Sequence, residues 1–411
     1  MKRFTLVALA LLGCGDSGSQ PAPVGVDVER GPCGHALVVV NSDYQSSSVA
    51  IVGYAGEVLA GSIVSSASET TGLSVPLSKD VVLPTTRTTG GDILLIDREQ
   101  AVLTVLDPVN AVVRQQIKVG TGFGSNPQDV IEVGGGTLYV SRYGSNATAG
   151  SEPFDEGSDV LVVDGASGAI EGRIDLSTAM EGAPEVIFPN PSRMVAGEGR
   201  VFLLLSAFSK DFSTSDDGRV AVVDTGMNEI VSVAVIDGMR GCLALAIAPG
   251  GERLAVGCSG TFAASSTPSL EDSGVVVLKI GEGGALSEVQ RFSAQDLGGD
   301  PISSSLSFAS DSTILLATFG RVDDSFAQAR PDRLLALDLE SGTTRELART
   351  QETPFSIGEI HCQPACGVCF AADAEKLGVL RLPIEIGALG EPEIITIDDG
   401  IGLPPRSLGA Y

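Results

Sequence analysis

The segment "HCQPACGVCF", residues 361–370, places three cysteines and a histidine within ten positions. Cys362, Cys366 and Cys369 follow a C-x3-C-x2-C spacing, which would let three thiolates converge on a four-iron cluster. With His361 beside them and His35 near Cys33, the chain also offers a Cys/His set of the kind that suits zinc. The same thiols can instead pair with one another as disulfides. Which chemistry applies depends on the redox compartment and on the elements that carry the cysteines.

The start of the chain speaks to the compartment. "MKRFTLVALALLGCGDSGSQPAP" carries Lys2 and Arg3, then an apolar run from Phe4 to Leu12, and turns polar after Gly13-Cys14. This order is that of a secretory leader, and the run is far shorter than the ~20 residues needed to span a bilayer. Leu11-Leu12-Gly13-Cys14 resembles the bacterial lipobox, although Leu12 stands where a small residue is usual. The resemblance implies that residues 1–13 are a lipoprotein signal peptide and that Cys14 is lipidated. Residues 14–32, rich in Gly, Ser and Pro, would then be a flexible tether to a single domain over 33–411. The expected location is the bacterial cell envelope, with the lipid as the membrane contact. Gly15 in place of Asp after the cysteine points to the outer membrane by the enterobacterial sorting rule. An ordinary cleaved signal with an incidental Cys14 is the alternative.

Composition narrows the partners. The formal net charge is −26 over 411 residues, and loss of Lys2 and Arg3 makes the mature chain more negative still. Such a surface repels phosphate backbones and anionic lipid, so nucleic acid is excluded as an expected partner. The acids are scattered, as on a solvated surface. With 51 Gly, 5% aromatics and no Trp, the chain reads as many tight turns between slim aliphatic strands, an all-β pattern.

An apolar phrase ending in a turn residue recurs along the chain. Its copies include "AVLTVLDPVNAVV" at 101–113, "DVLVVDGASGAIEGRI" at 159–174, "RVAVVDTGMNEIVSV" at 219–233 and "RLLALDLESGTTREL" at 333–347, with looser copies at 48–63 and 274–289. The equivalent positions Gly53, Asp107, Asp164, Asp224, Lys279 and Asp338 lie 54 to 60 residues apart. Each phrase is preceded by another short apolar run, such as "DILLI" at 92 or "VFLLL" at 201, and in several units by a third, such as "QDVIEV", "SRMVAG" or "CLALAIA". Short Val/Ile/Leu runs bounded by Gly, Asp or Asn read as strands covered on both faces. Four such strands per unit, repeated in a ring, describe a β-propeller. Counting residues 358–384 as a unit gives seven four-stranded antiparallel blades. The first unit lacks an inner strand of its own, and "GLPPRSLGAY" at the C-terminus is expected to supply it and close the ring.

"LYVSRYGSN" at 138–146, followed by "VLVVDGASGAI", resembles the YVTN-type β-propeller repeat, and "LVVVNSDYQSSSVAIV" is a looser copy. The resemblance covers most of 33–411. It implies the propeller fold and leaves several functions open, among them surface recognition, protein binding and lactone hydrolysis. The lack of Trp argues against WD40, kelch and Trp-docked quinoprotein repeats.

With the fold and leader in view, the cysteines favour disulfides. Beyond Cys14 they are even in number: Cys33, Cys242, Cys258, Cys362, Cys366 and Cys369. The radical-SAM family, which uses the C-x3-C-x2-C spacing, sets its triad early in a TIM-like barrel and usually has an aromatic before the last cysteine, where this chain has Val368. Many pairings are open to six cysteines. Blade alignment favours Cys242 with Cys258, Cys362 with Cys369, and Cys33 with Cys366 as a staple where the ring closes. Zinc stays as the alternative, with no metal or cofactor expected.

The recurrent acids Asp107, Asp164, Asp224 and Asp338 sit in turns, where Asp accepts hydrogen bonds from backbone N–H groups just ahead, and no catalytic role is needed to explain them. Long insertions between second and third strands would emerge on one face and rim the channel there. They bring Arg142, Tyr143, Lys210, Arg321, Asp323 and Arg330 as ligand-face candidates. "DEGSD", "SDDG" and "EDSG" lack the regular calcium-loop ladder. His35 and His361 fall near the disulfide turns on the opposite face, so a His-based hydrolase site is hard to assemble. The expectation is a monomeric, non-catalytic binding scaffold for a protein or glycan, with a lactonase-like or other propeller hydrolase, its site at the central channel, as the alternative.

Overall fold

The computed structural model describes residues 24–68, 72–261, 269–322, 328–352, 355–385, 388–398 and 400–411. Cys14 and the leader lie outside the described residues, as does Asp323. Seven antiparallel sheets follow one another along the chain, six of four strands and the last with a fifth short strand. The protein is an all-β, seven-bladed β-propeller.

Each blade repeats one local logic. Its second and third strands, such as Leu37–Ser42 with Ser47–Val52 or Thr313–Thr318 with Arg333–Asp338, are short aliphatic runs buried on both faces, because each sheet is sandwiched between its neighbours. The fourth strand lies at the outer edge and is more polar, as in Thr344–Arg349, "TRELAR". Between blades the apolar faces interlock. Ala255 and Val275 of the fifth blade, for example, share a core with Ile314 and Leu316 of the sixth. The phrases "QDVIEV", "SRMVAG" and "CLALAIA" form the innermost strands Pro127–Glu132, Pro191–Gly197 and Cys242–Ile247, which contact one another around the channel.

Closure comes from the C-terminus. Pro405–Ala410 pairs antiparallel with Leu37–Ser42, with Leu37 opposite Ala410 and Val40 opposite Ser407, and so becomes the inner strand of the first blade. His35 N–H also donates to the Tyr411 carbonyl at 2.6 Å, and the two side-chain rings stack 5.2 Å apart.

Three disulfides are present: Cys33–Cys366, Cys242–Cys258 and Cys362–Cys369. The last two join residues directly opposite in the first two strands of a blade. The first ties the entry of blade one to the first turn of blade seven, across 333 residues of chain.

The turn acids act on their own hairpins. Asp107 accepts from the N–H groups of Val109 and Asn110, Asp164 from Ser167, Asp224 from Gly226 and Met227, and Asp338 from Ser341. These bonds favour the ionised form. Asp107 is held below the usual 3.8 chiefly by the Asn110 amide, and Asp164 chiefly by Ser167.

Ahead of Cys33, Val26 N–H donates to the Pro108 carbonyl, and the Val28 carbonyl lies 2.6 Å from His35 Nδ1. Val26 also packs on the core of the first two blades, which is why the chain is held before Cys33.

Candidate functional site

The channel is built from the exposed edges of the inner strands. Each such edge carries backbone N–H groups with no ladder partner, and these must be satisfied by side chains or water. Polar residues within the inner strands do this across blade boundaries. Ile360 N–H donates to Ser305 Oγ at 2.8 Å, and Leu83 N–H to Ser407 Oγ at 3.1 Å. Asp129, fully buried in blade three, accepts from Thr85 N–H of blade two at 2.9 Å and from Met194 N–H of blade four at 2.7 Å. Burial pushes the Asp129 carboxyl above 3.8, and nearby Arg193 opposes that rise.

Arg193 then crosses the channel. It starts on blade four and meets Glu359 of blade seven, Nη2 to Oε1 at 2.6 Å. Burial works against the Arg193 charge, but Glu359 and Asp129 outweigh it and hold the guanidinium protonated. The other Glu359 oxygen accepts from Ser407 Oγ and from Leu408 N–H of blade one. Asp129 and Glu359 are therefore both engaged in tying blades together.

Beside this strut lies a cavity of about 300 Å³, lined among others by Arg87, Arg193, Ser305, Glu359, His361 and Gln363. The lining comes from the middle and later parts of the inner strands, so the cavity sits towards the face of the inner-strand turns, opposite the long loops. His361 is held by Gln363, whose Nε2 donates to His361 Nε2 at 2.7 Å. Burial, reinforced by the Arg87 charge and opposed by Glu359, pushes His361 down to about 4, so the imidazole is neutral at physiological pH. Arg87 Nη1 is buried and finds no acceptor among the described residues.

His361 lies beside the Cys362–Cys369 disulfide on the face opposite the long loops, and its position on the inner strand Ile357–Gln363 also brings it to the cavity lining. His35 does remain outside, stacked on Tyr411. The channel residues Asp129, Arg193 and Glu359 did have a signal in the sequence: each is a charged residue inside a run otherwise patterned for burial.

The loop-face candidates fall into different settings. The strand Thr137–Ser145 runs further than "TLYVS" suggested, which draws Arg142 and Tyr143 out of the loop and into the sheet. Arg142 is fully buried and forks onto Asp159 through Nε at 2.7 Å and Nη2 at 2.6 Å, with Thr121 Oγ1 and the carbonyls of Phe154 and Val119 taking its remaining N–H groups. It is thus a structural pin, not an open ligand contact. Tyr143 is buried beneath Phe212, rings stacked 6.0 Å apart. Lys210 is exposed. Arg321 and Arg330 both converge with Arg333 on buried Asp300, at 3.7, 3.0 and 2.8 Å. In the acidic loops, Asp155 accepts from the N–H groups of Gly150, Ser151 and Glu152, and Asp272 accepts from Thr261.

No protein-family model and no curated protein sequence matches the chain. Solved structures do. A protein from Lactobacillus plantarum superposes with a TM-score of 0.56 at 11% identity, covering 90% of this chain and 98% of the other. A provisionally named 6-phosphogluconolactonase from Bacteroides uniformis gives 0.53 at 12% identity, covering 91% and 98%. Kuenenia stuttgartiensis hydrazine synthase gives 0.52 at 12% identity, covering 77% and 80%. At such identities the likeness extends to the propeller fold and no further.

Proposed function

We propose that the protein is a lipid-anchored propeller of the bacterial envelope, of the YVTN-repeat type, which binds a small polar ligand in its central channel and does not transform it. One observation carries this reading. The channel carboxylates Asp129 and Glu359 are both engaged in bonds that tie blades together, whereas Arg87, which lines the cavity, keeps a buried guanidinium nitrogen, Nη1, with no acceptor among the described residues. An acid or base for catalysis needs a free lone pair or proton; an anion-binding group needs the reverse, an unmatched donor. The disulfides suit an oxidising compartment.

A second reading, a lactonase-like hydrolase, is favoured by the neutral His361 sharing a cavity with Glu359 and Arg193. Structural neighbours that bear a lactonase name give it a fold precedent.

Calorimetric titration of the intact chain with gluconate, small hydroxy acids and inorganic phosphate, beside a turnover assay on gluconolactone, tests both. Saturable binding that Arg87→Ala abolishes, without turnover, supports the binding protein. Turnover lost in His361→Asn and Glu359→Gln supports the hydrolase, and neither binding nor turnover removes the channel as the site. Cys14→Ser should move the protein from the membrane to the soluble fraction if Cys14 is the anchor.

A further inference from the structure

The chain is poor in aromatics, yet the large aromatic side chains exposed among the described residues are all on one face. Tyr44 is 59% exposed, Phe212 56% and Phe355 42%. Tyr44 and Phe212 lie between second and third strands of blades one and four, and Phe355 lies on the crossing from blade six to blade seven. These connections emerge on the same side of a propeller, opposite the channel cavity. All three residues have left-handed backbones, with φ of 63°, 57° and 56°. Bulky residues rarely adopt that conformation, and Gly or Asn would fit it without strain. The backbone at these turns therefore does not call for an aromatic. Backbone strain combined with solvent exposure is a mark of recognition residues held ready in place.

Two of the three belong to one patch. Arg406, the second residue of the closing strand, lies with its guanidinium 5.0 Å from the centre of the Tyr44 ring and donates from Nη1 to the Phe355 carbonyl at 3.3 Å. Phe355 in turn packs edge-on against Phe319, centroids 5.6 Å apart. Ile401, 54% exposed, lies just ahead of the closing strand at the same end. Exposed acids flank these residues along the chain: Asp43 directly precedes Tyr44, and Glu352 and Asp398 lie shortly before Phe355 and Ile401. Asp43 is held below 3.8, first by the Ser46 N–H, so it is ionised.

We propose that the surface formed by Tyr44, Phe355, Ile401 and Arg406, where blades one and seven meet, docks a basic segment of a partner protein. Aromatic and Arg centres of this kind dominate protein interfaces. The acidic rim, on a chain of net charge −26, selects Lys- or Arg-bearing partners and repels acidic ones. This surface is independent of the channel site.

The test uses the intact chain in detergent, a random peptide library displayed on phage, and an array of neutral, amino and acidic polysaccharides. The expected result is enrichment of peptides that carry Lys or Arg among apolar residues. Their synthetic forms should lose at least about tenfold in affinity in the double variant Tyr44→Asn/Phe355→Asn. That variant should stay folded with a melting temperature close to that of the wild type, since relief at the two left-handed turns offsets the lost contacts with Phe319 and Arg406. Glu352→Lys, which leaves the aromatic packing untouched, should weaken the same peptides. Enrichment of acidic peptides, affinity indifferent to both variants, or variant-sensitive binding found only on the polysaccharide array would each overturn the proposal.

Discussion

Arg142 and His361 show how burial changes what a charged or titratable side chain can do. Arg142 has every guanidinium group satisfied inside the protein, and its partner Asp159 is as deeply buried. Removing the cation would leave that buried carboxylate with only the more distant Arg173, at 3.9 Å. Arg142→Ala is therefore expected to cost roughly 3–5 kcal/mol, measured by denaturant unfolding, with loss of order in the following loop. His361 is neutral in the folded chain because it is pushed to about 4 from its ordinary 6.5. Between those values the unfolded chain binds more protons, so stability falls as the pH drops through that window. In His361→Asn the fall should flatten, and a melting curve series from pH 4 to 7 would show it; an unchanged slope would mean that His361 is solvated.

At the scale of the element, the inner strands matter most. Their edges face a channel instead of a fifth strand, and the polar residues embedded in them satisfy the next blade. Asp129 alone serves the backbones of blades two and four. Asp129→Ala should leave two inner-edge N–H groups unpaired and the Arg193 charge less matched, at about 3 kcal/mol in unfolding free energy. Asp129→Asn, which keeps an acceptor, should cost clearly less. The repeat phrases made these strands legible in the sequence, since buried aliphatic runs recur at a fixed period. The charged residues within them were legible only as exceptions to that pattern. Which exceptions meet across the channel depends on blades three positions apart in the ring, and no local pattern encodes that.

The whole molecule is a ring whose two ends meet in one blade. The hydrogen bonds of Pro405–Ala410 and the Cys33–Cys366 bond hold that seam, and a bond spanning 333 residues restricts the unfolded chain over almost its full length. Replacing both cysteines by serine should lower stability by roughly 2–5 kcal/mol, and reduction of the wild-type protein, which also opens Cys242–Cys258 and Cys362–Cys369, should cost at least as much. The expected first event on heating the variant is release of the C-terminal strand, visible as early hydrogen exchange at Leu408 and Gly409. Simultaneous exchange in all blades would show that the ring opens as one unit.

Periodicity of aliphatic runs, turn residues and an even set of cysteines determined the architecture from sequence alone: strands, blade number, closure by the C-terminus and a coherent disulfide pairing. These features are local or repeat at a fixed distance, so they survive in a linear reading. The tertiary structure alone decided which polar groups are spent and which are free. It buried Arg142, engaged Glu359, turned His361 into the channel and left Tyr44 and Phe355 in solvent. The reason is that burial and pairing are set by residues from distant blades, brought together only once the ring has closed.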